Sequence, residues 1–171
     1  MKLVKFGDLY LELIGNSIEG WSFRPTFYLS SELDNNRAHN PWKFTEVGDI
    51  IILASAEEMR SQYPTRSVTD IMRKRAGEVD KISEIGNSPY SDYFYIKLKS
   101  EVIGHNRSEF CWDFMMFSHA FKILKILEIE QYVIYDYISN ICICKIFETI
   151  EQAEKYIYYD ISRKSFYPIQ I

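Results

Sequence analysis

Three histidines, three cysteines and a scatter of carboxylates are the side chains in this sequence with the means to do acid–base, nucleophilic or metal chemistry. His39 lies in a polar stretch beside Arg37 and Trp42. His105 precedes Arg107 by two residues, and His119 follows Asp113 by six. Brought together, His105, Arg107, His119 and Asp113 would supply a general acid, a general base and a cation to hold a phosphate, which is the equipment of a small hydrolase or nuclease. Their spacing does not require them to meet, since the histidines occupy separate segments, and surface or capping roles are the simpler account of them. Cys142 and Cys144 stand two apart on a strand pattern and so point to one face. Cys111 is the only other thiol, and no histidine lies within ten residues of the pair. A metal site asks for more ligands than that; two small buried apolar side chains are the simpler reading.

Other chemistry is missing. There is no Gly-x-Ser-x-Gly elbow, no glycine-rich phosphate loop, no His-Glu-x-x-His and no dinucleotide fingerprint, and with 7 Gly in the chain a concealed phosphate loop has little material. The sequence therefore predicts no catalytic residue, no metal and no cofactor.

The elements that would position any site can be read from periodicity. Lys2–Phe6, Leu9–Ile14 and Trp21–Leu29 are apolar and aromatic with turn residues between them, a β pattern. Ser30–Thr45 is a loop, Ile50–Leu53 a buried strand and Ser55–Gln62 a short helix stopped by Pro64. Ser67-Val68-Thr69-Asp70 has the spacing of a capping box, with Asp in the Glu place, and opens a helix over Val68–Ile82 that Gly77 weakens or ends. Ile-Gly-Asn-Ser occurs at Ile14–Ser17 and again at Ile85–Ser88, and both copies read as turns. Tyr93–Val102 alternates as a strand. Phe110, Phe114, Phe117, Phe121 and Leu124 recur at steps of four and three, opposite Ser118, Lys122 and Lys125, which predicts an amphipathic helix. Tyr132–Ile138 and Ile141–Phe147 read as a hairpin about Ser139-Asn140. Thr149-Ile150-Glu151-Gln152 is a capping box that starts a last helix running to about Tyr159, with an extended tail at Phe166–Ile169. With no linker in sight, residues 1–171 read as a single α+β domain: a mostly antiparallel or mixed sheet flanked by three or four helices.

Composition narrows the class. Aromatics make up 16% of the chain, with 13 Tyr and 11 Phe, a weight that suits half-buried sheet. The longest wholly apolar run is Ile50–Ala54, far short of the ~20 residues a spanning helix needs. Asp8 and Glu12 interrupt the N-terminal segment before a signal-peptide core develops. The odd cysteine count fits a reducing compartment, so the expected location is cytoplasmic, with no membrane partner. A net charge of −4 disfavours a nucleic-acid partner. The run Arg73-Lys74-Arg75 lies among enough acids to read as a solvated face. Seven acids against two bases fall between Glu128 and Asp160, a local net of −5. Seven of the tyrosines lie between Tyr132 and Tyr167. Tyrosine offers a rigid apolar body with a polar tip, and acids around it steer a basic partner. The candidate partner-binding residues are therefore Glu128, Glu130, Asp136, Glu148, Glu151, Glu154, Tyr158 and Asp160.

In its small size, acidity and wealth of Tyr and Ile, above all over Tyr132–Asp160, the chain resembles bacterial toxin-immunity proteins of the contact-dependent growth inhibition type. The resemblance implies a stoichiometric inhibitor that is not an enzyme. It would bind the cognate C-terminal toxic domain of a secreted protein, often a basic nuclease, and cover its active site or a neighbouring surface. Two rival readings are the small hydrolase or nuclease with the His/Arg site and a homodimeric regulatory or assembly subunit.

Overall fold

The structure, a computed structural model, describes residues 2–6, 9–14, 26–28, 41–61, 67–87, 94–102, 111–139, 141–143 and 145–161. Two compact units emerge: Trp42–Ala120, and Met1–Pro41 together with Phe121–Ile171. Strands β1 (Lys2–Phe6), β2 (Leu9–Ile14) and β3 (Thr26–Tyr28) form an antiparallel sheet in that order, with Lys2 opposite Leu13 and Glu12 opposite Tyr28. The other strands are β4 (Ile50–Leu53), β5 (Val79–Asn87), β6 (Phe94–Leu98), β7 (Phe117–Lys125), β8 (Tyr132–Asp136) and β9 (Ile141–Cys142). They are ordered β6-β5-β4-β7-β8-β9, and the pairs β4–β5, β5–β6, β7–β8 and β8–β9 are antiparallel. Helical structure is short: α1 (Asp70–Arg73), α2 (Lys99–Val102) and α3 (Ile150–Lys155), with 3₁₀ turns at Pro41–Phe44 and Phe114–Met116 and a π segment at Tyr156–Ile161. The mixture is α+β with antiparallel sheet.

Within Trp42–Ala120 the core is built on β4, where Ile50, Ile51, Ile52 and Leu53 are all buried. Such a strand has no polar face because both of its sides are covered. The helix expected over Val68–Ile82 is a single turn. Its N-cap is Thr69, whose Oγ1 accepts from the Met72 amide at 3.2 Å, so the cap lies two residues beyond the expected Ser67. Gly77, at φ +83°, then reverses the chain, and Val79 and Ile82 belong to β5. The segment expected as the helix Ser55–Gln62 makes only one turn, closed by the Met59 amide on the Ser55 carbonyl at 2.8 Å. The second Ile-Gly-Asn, Ile85–Asn87, is strand and not turn. Gly86 is opposite Tyr95, and any side chain there would collide with the Tyr95 ring. Tyr93–Val102 divides into β6 and α2.

The largest correction concerns the aromatic helix expected over Phe110–Leu124. Residues 117–125 are strand β7, entered through the 3₁₀ turn Phe114–Met116. Ala120, Phe121 and Lys122 are buried in succession, which a strand achieves only when both faces are covered. Periodicity then carries no signal, and aromatic and β-branched residues favour the extended form. Lys122, placed by the helical reading on a polar stripe, is buried with its Nζ 5.3 Å from the Tyr137 ring centroid.

The C-terminal elements follow the sequence closely. In β8, Asp136 pairs with Ile141 and Tyr135 with Cys142, and Tyr132 bridges Phe147. Thr149 caps α3: its Oγ1 accepts from the Gln152 amide at 3.0 Å, while Gln152 Oε1 accepts from the Glu148 amide at 2.9 Å. The first bond satisfies an amide that a helix start would otherwise leave open, and the second ties the residue before the cap to the first turn. Thr149→Ala is expected to cost about 1 kcal/mol in chemical denaturation, with Thr149→Ser retaining most of the stability.

Candidate functional site

Four of the eight expected docking residues, Glu128, Glu130, Glu148 and Glu151, lie on two segments that follow β7. The first is the turn between β7 and β8. Glu128 adopts a left-handed backbone there (φ 69°), and the Ile126 amide closes the turn on the Gln131 carbonyl at 2.8 Å. That geometry turns Glu128, Ile129 and Glu130 outward, with Ile129 42% exposed. The second segment is the start of α3, where Glu148, Ile150 and Glu151 are exposed, Ile150 at 44%.

Tyr132 joins the two. Its hydroxyl donates to Glu130 Oε2 at 3.3 Å. Its pKa is raised by burial first, then by the charge and hydrogen bond of Glu130, then by the charge of Glu151. Both carboxylates thus lie close enough to act on one phenol, and each directly follows a half-exposed isoleucine. Lys125, 3.5 Å from Glu130, is the nearby counter-charge. Phe147 and Tyr156 meet at a tilt of 53° with centroids 5.3 Å apart, and Lys145 Nζ lies 5.8 and 5.5 Å from their rings. Burial, with Asp160 adding to it, also raises the Tyr156 pKa.

The helical segment presents a regular outer face. Ala153, Ile157 and Ile161 are buried, and Glu151, Lys155 and Tyr159 are exposed, each set advancing by four residues. An α-helix would rotate such rows steadily around its axis; the wider π turns of Tyr156–Ile161 hold them in line. Tyr159 is 56% exposed, whereas Glu154 and Tyr158, both expected at the interface, are half-buried. Extrapolating an α period past Lys155 favours Tyr158, and the π segment moves exposure one residue on, to Tyr159 and Asp160.

Asp136 is not on this surface. It is fully buried, and its carboxylate accepts from the Ile138 amide at 3.0 Å, the Ser139 amide at 3.4 Å and the Ser139 hydroxyl at 3.0 Å. It pins the turn after β8, the local role for which aspartate is suited. Tyr135 and Tyr137 are buried as well, so the tyrosines that face outward are a subset of those counted in the sequence.

Of the alternative catalytic set, only His119 and Asp113 fall among the described residues. His39, His105 and Arg107 lie outside them. His119 is half-buried on β7, and Asp113 is buried and accepts from the Ser61 hydroxyl. No group of three or more His, Cys, Asp or Glu with metal-binding geometry occurs among the described residues. Cys142 lies on β9, but its side chain, like all of Cys144, falls outside the described part. Of the basic run, Arg75 is structural: it reaches Glu78 at 2.7 Å and Asp80 at 2.8 Å, beside the Trp112 ring. Arg73 donates to the Ala56 carbonyl at 2.9 Å. Among the described residues no helix is long and apolar enough to cross a membrane. No protein-family model, curated protein or solved structure matches this chain.

Proposed function

We propose that this chain is an immunity protein of the cytoplasm that binds and neutralises a cationic protein, the nuclease domain of a cognate toxin. The observation that supports this reading most is the surface around Tyr132, where Ile129 and Ile150 are half-exposed and the exposed acids Glu128, Glu130, Glu148 and Glu151 flank them along the chain. An apolar centre with a charged rim is the arrangement from which a specific interface is made. The acids draw in a basic partner, and the apolar contacts set how long it stays. Three or four helices flank the sheet in this reading, and the last helical segment is a docking member.

This reading expects the gene of a large secreted toxin immediately upstream, and the C-terminal domain of that toxin is the partner to use. Stopped-flow association with that domain should slow about tenfold or more in Glu130→Lys/Glu151→Lys at low salt. The difference should shrink as salt rises, because exposed charges are screened over about 10 Å at 0.1 M. Wild-type protein that leaves the domain's nuclease activity untouched, or a variant with an unchanged association rate, would remove the reading.

A further inference from the structure

The outer row Glu151–Lys155–Tyr159 has a property that a surface designed only for a cationic partner would lack: its charges alternate. Glu151 and Lys155 are four residues apart with the acid first, the order in which helix-surface pairs form most readily. Among the described residues that pair is not made, and Lys155 has no ion pair, hydrogen bond or ring contact. Nor does Lys155 serve to complement a helix C-terminus, since the π segment continues the helical path to Ile161. Two exposed, opposite charges one turn apart therefore stand unpaired with each other on a face that also carries the exposed ring of Tyr159.

Such a row is complementary to itself. When two copies run antiparallel about a two-fold axis, Glu151 of each meets Lys155 of the other, which is the reciprocal contact that an isologous interface demands. We infer that the protein self-associates through this row into an antiparallel, two-fold dimer, with both Glu151–Lys155 pairs formed between copies and Tyr159 laid against the start of the opposite α3. The face is small and its pairs are exposed, so the dimer is weak and reversible, well below the buried area of obligate dimers. It covers Glu151, which the docking surface for a cationic partner also uses. Self-association and partner capture are then alternatives, and the monomer is the binding form.

Charge exchange tests this with the protein alone. In sedimentation velocity across a concentration series at low salt, wild-type protein should show a monomer–dimer equilibrium. Glu151→Lys and Lys155→Glu should each weaken it about tenfold or more, since two attractive pairs become repulsive. The double exchange Glu151→Lys/Lys155→Glu should recover wild-type association, and an equimolar mixture of the two single variants should associate where neither does alone. Circular dichroism establishes that all variants remain folded. A protein monomeric at every concentration would overturn the inference. So would a dimer indifferent to the single variants, which would place the contact on another part of the surface. Neither outcome bears on whether a cationic protein docks at Tyr132, which the association experiment with the upstream domain reads separately.

Discussion

Asp80→Ala is expected to cost about 3 kcal/mol in urea denaturation, near the lower end of what breaking a buried ion pair costs. The carboxylate of Asp80 is 6% exposed and organises four groups from three places in the chain. Arg75 Nη2 donates to it at 2.8 Å, the Lys81 amide at 2.7 Å and the Ser100 amide at 3.3 Å, and the Ser100 hydroxyl also donates to it. The turn after α1, the start of β5 and the first turn of α2 are thereby held to one point. Burial works to lower the Arg75 pKa, but hydrogen bonds and charge from Asp80 and Glu78 outweigh it and leave the pKa raised. Removing Asp80 strands a guanidinium whose side chain is only 17% exposed. Glu78 remains as a partner, and that keeps the cost from reaching the upper end of the range.

Two controls separate this role from simple loss of charge. Glu78→Ala removes the exposed member of the triad and should cost under about 1 kcal/mol. Asp80→Asn retains shape and one acceptor oxygen, and should fall between the two. If Asp80→Ala cost no more than Glu78→Ala, the carboxylate would not be the fastening point of this unit. The cluster also shows why Arg73-Lys74-Arg75 misleads in sequence: three consecutive cations look alike, but only the fold reveals that the third faces inward to a buried acid.

What the sequence made legible, and what it hid, follows from how much of the decisive information was local. β1 and β2 were visible because a turn-forming Gly-Asp separates two apolar runs, and β4 because four consecutive large aliphatics have few other homes. The Thr149 cap was visible because its partners lie within three residues. β7 was not, since its aromatic spacing satisfies a helical template while the covered faces that decide the matter are supplied by residues distant in sequence. Gly86 looked like turn chemistry for a similar reason: the constraint on it is the ring of Tyr95, nine residues away. At the candidate site the exposed carboxylates Glu128, Glu130, Glu148, Glu151 and Asp160 could be found by counting charge. Counting could not find that Asp136 turns inward to hold its own turn, that Tyr159 replaces Tyr158, or that Lys155 stands unpaired within an acidic stretch. Each of those depends on side-chain direction, which at Tyr158 and Tyr159 the π segment sets.

Ile157→Ala and Tyr159→Ala, two residues apart, should therefore have opposite consequences. Ile157 is fully buried in the row Ala153–Ile157–Ile161 that seats the last helical segment, and its truncation should cost about 2–4 kcal/mol, a transfer loss plus the cavity left behind. Tyr159 is 56% exposed, and its truncation should change stability by no more than about 0.5 kcal/mol. On self-association the order reverses in kind: Tyr159→Ala should weaken it in a fully folded protein, while Ile157→Ala should weaken it only in proportion to the loss of order in residues 150–161. Denaturation curves together with amide exchange over that segment distinguish the cases. A Tyr159→Ala protein as destabilised as Ile157→Ala would mean that the ring belongs to the core, and the outward row, with the self-association argument built on it, would have to be drawn along a different edge of the helix.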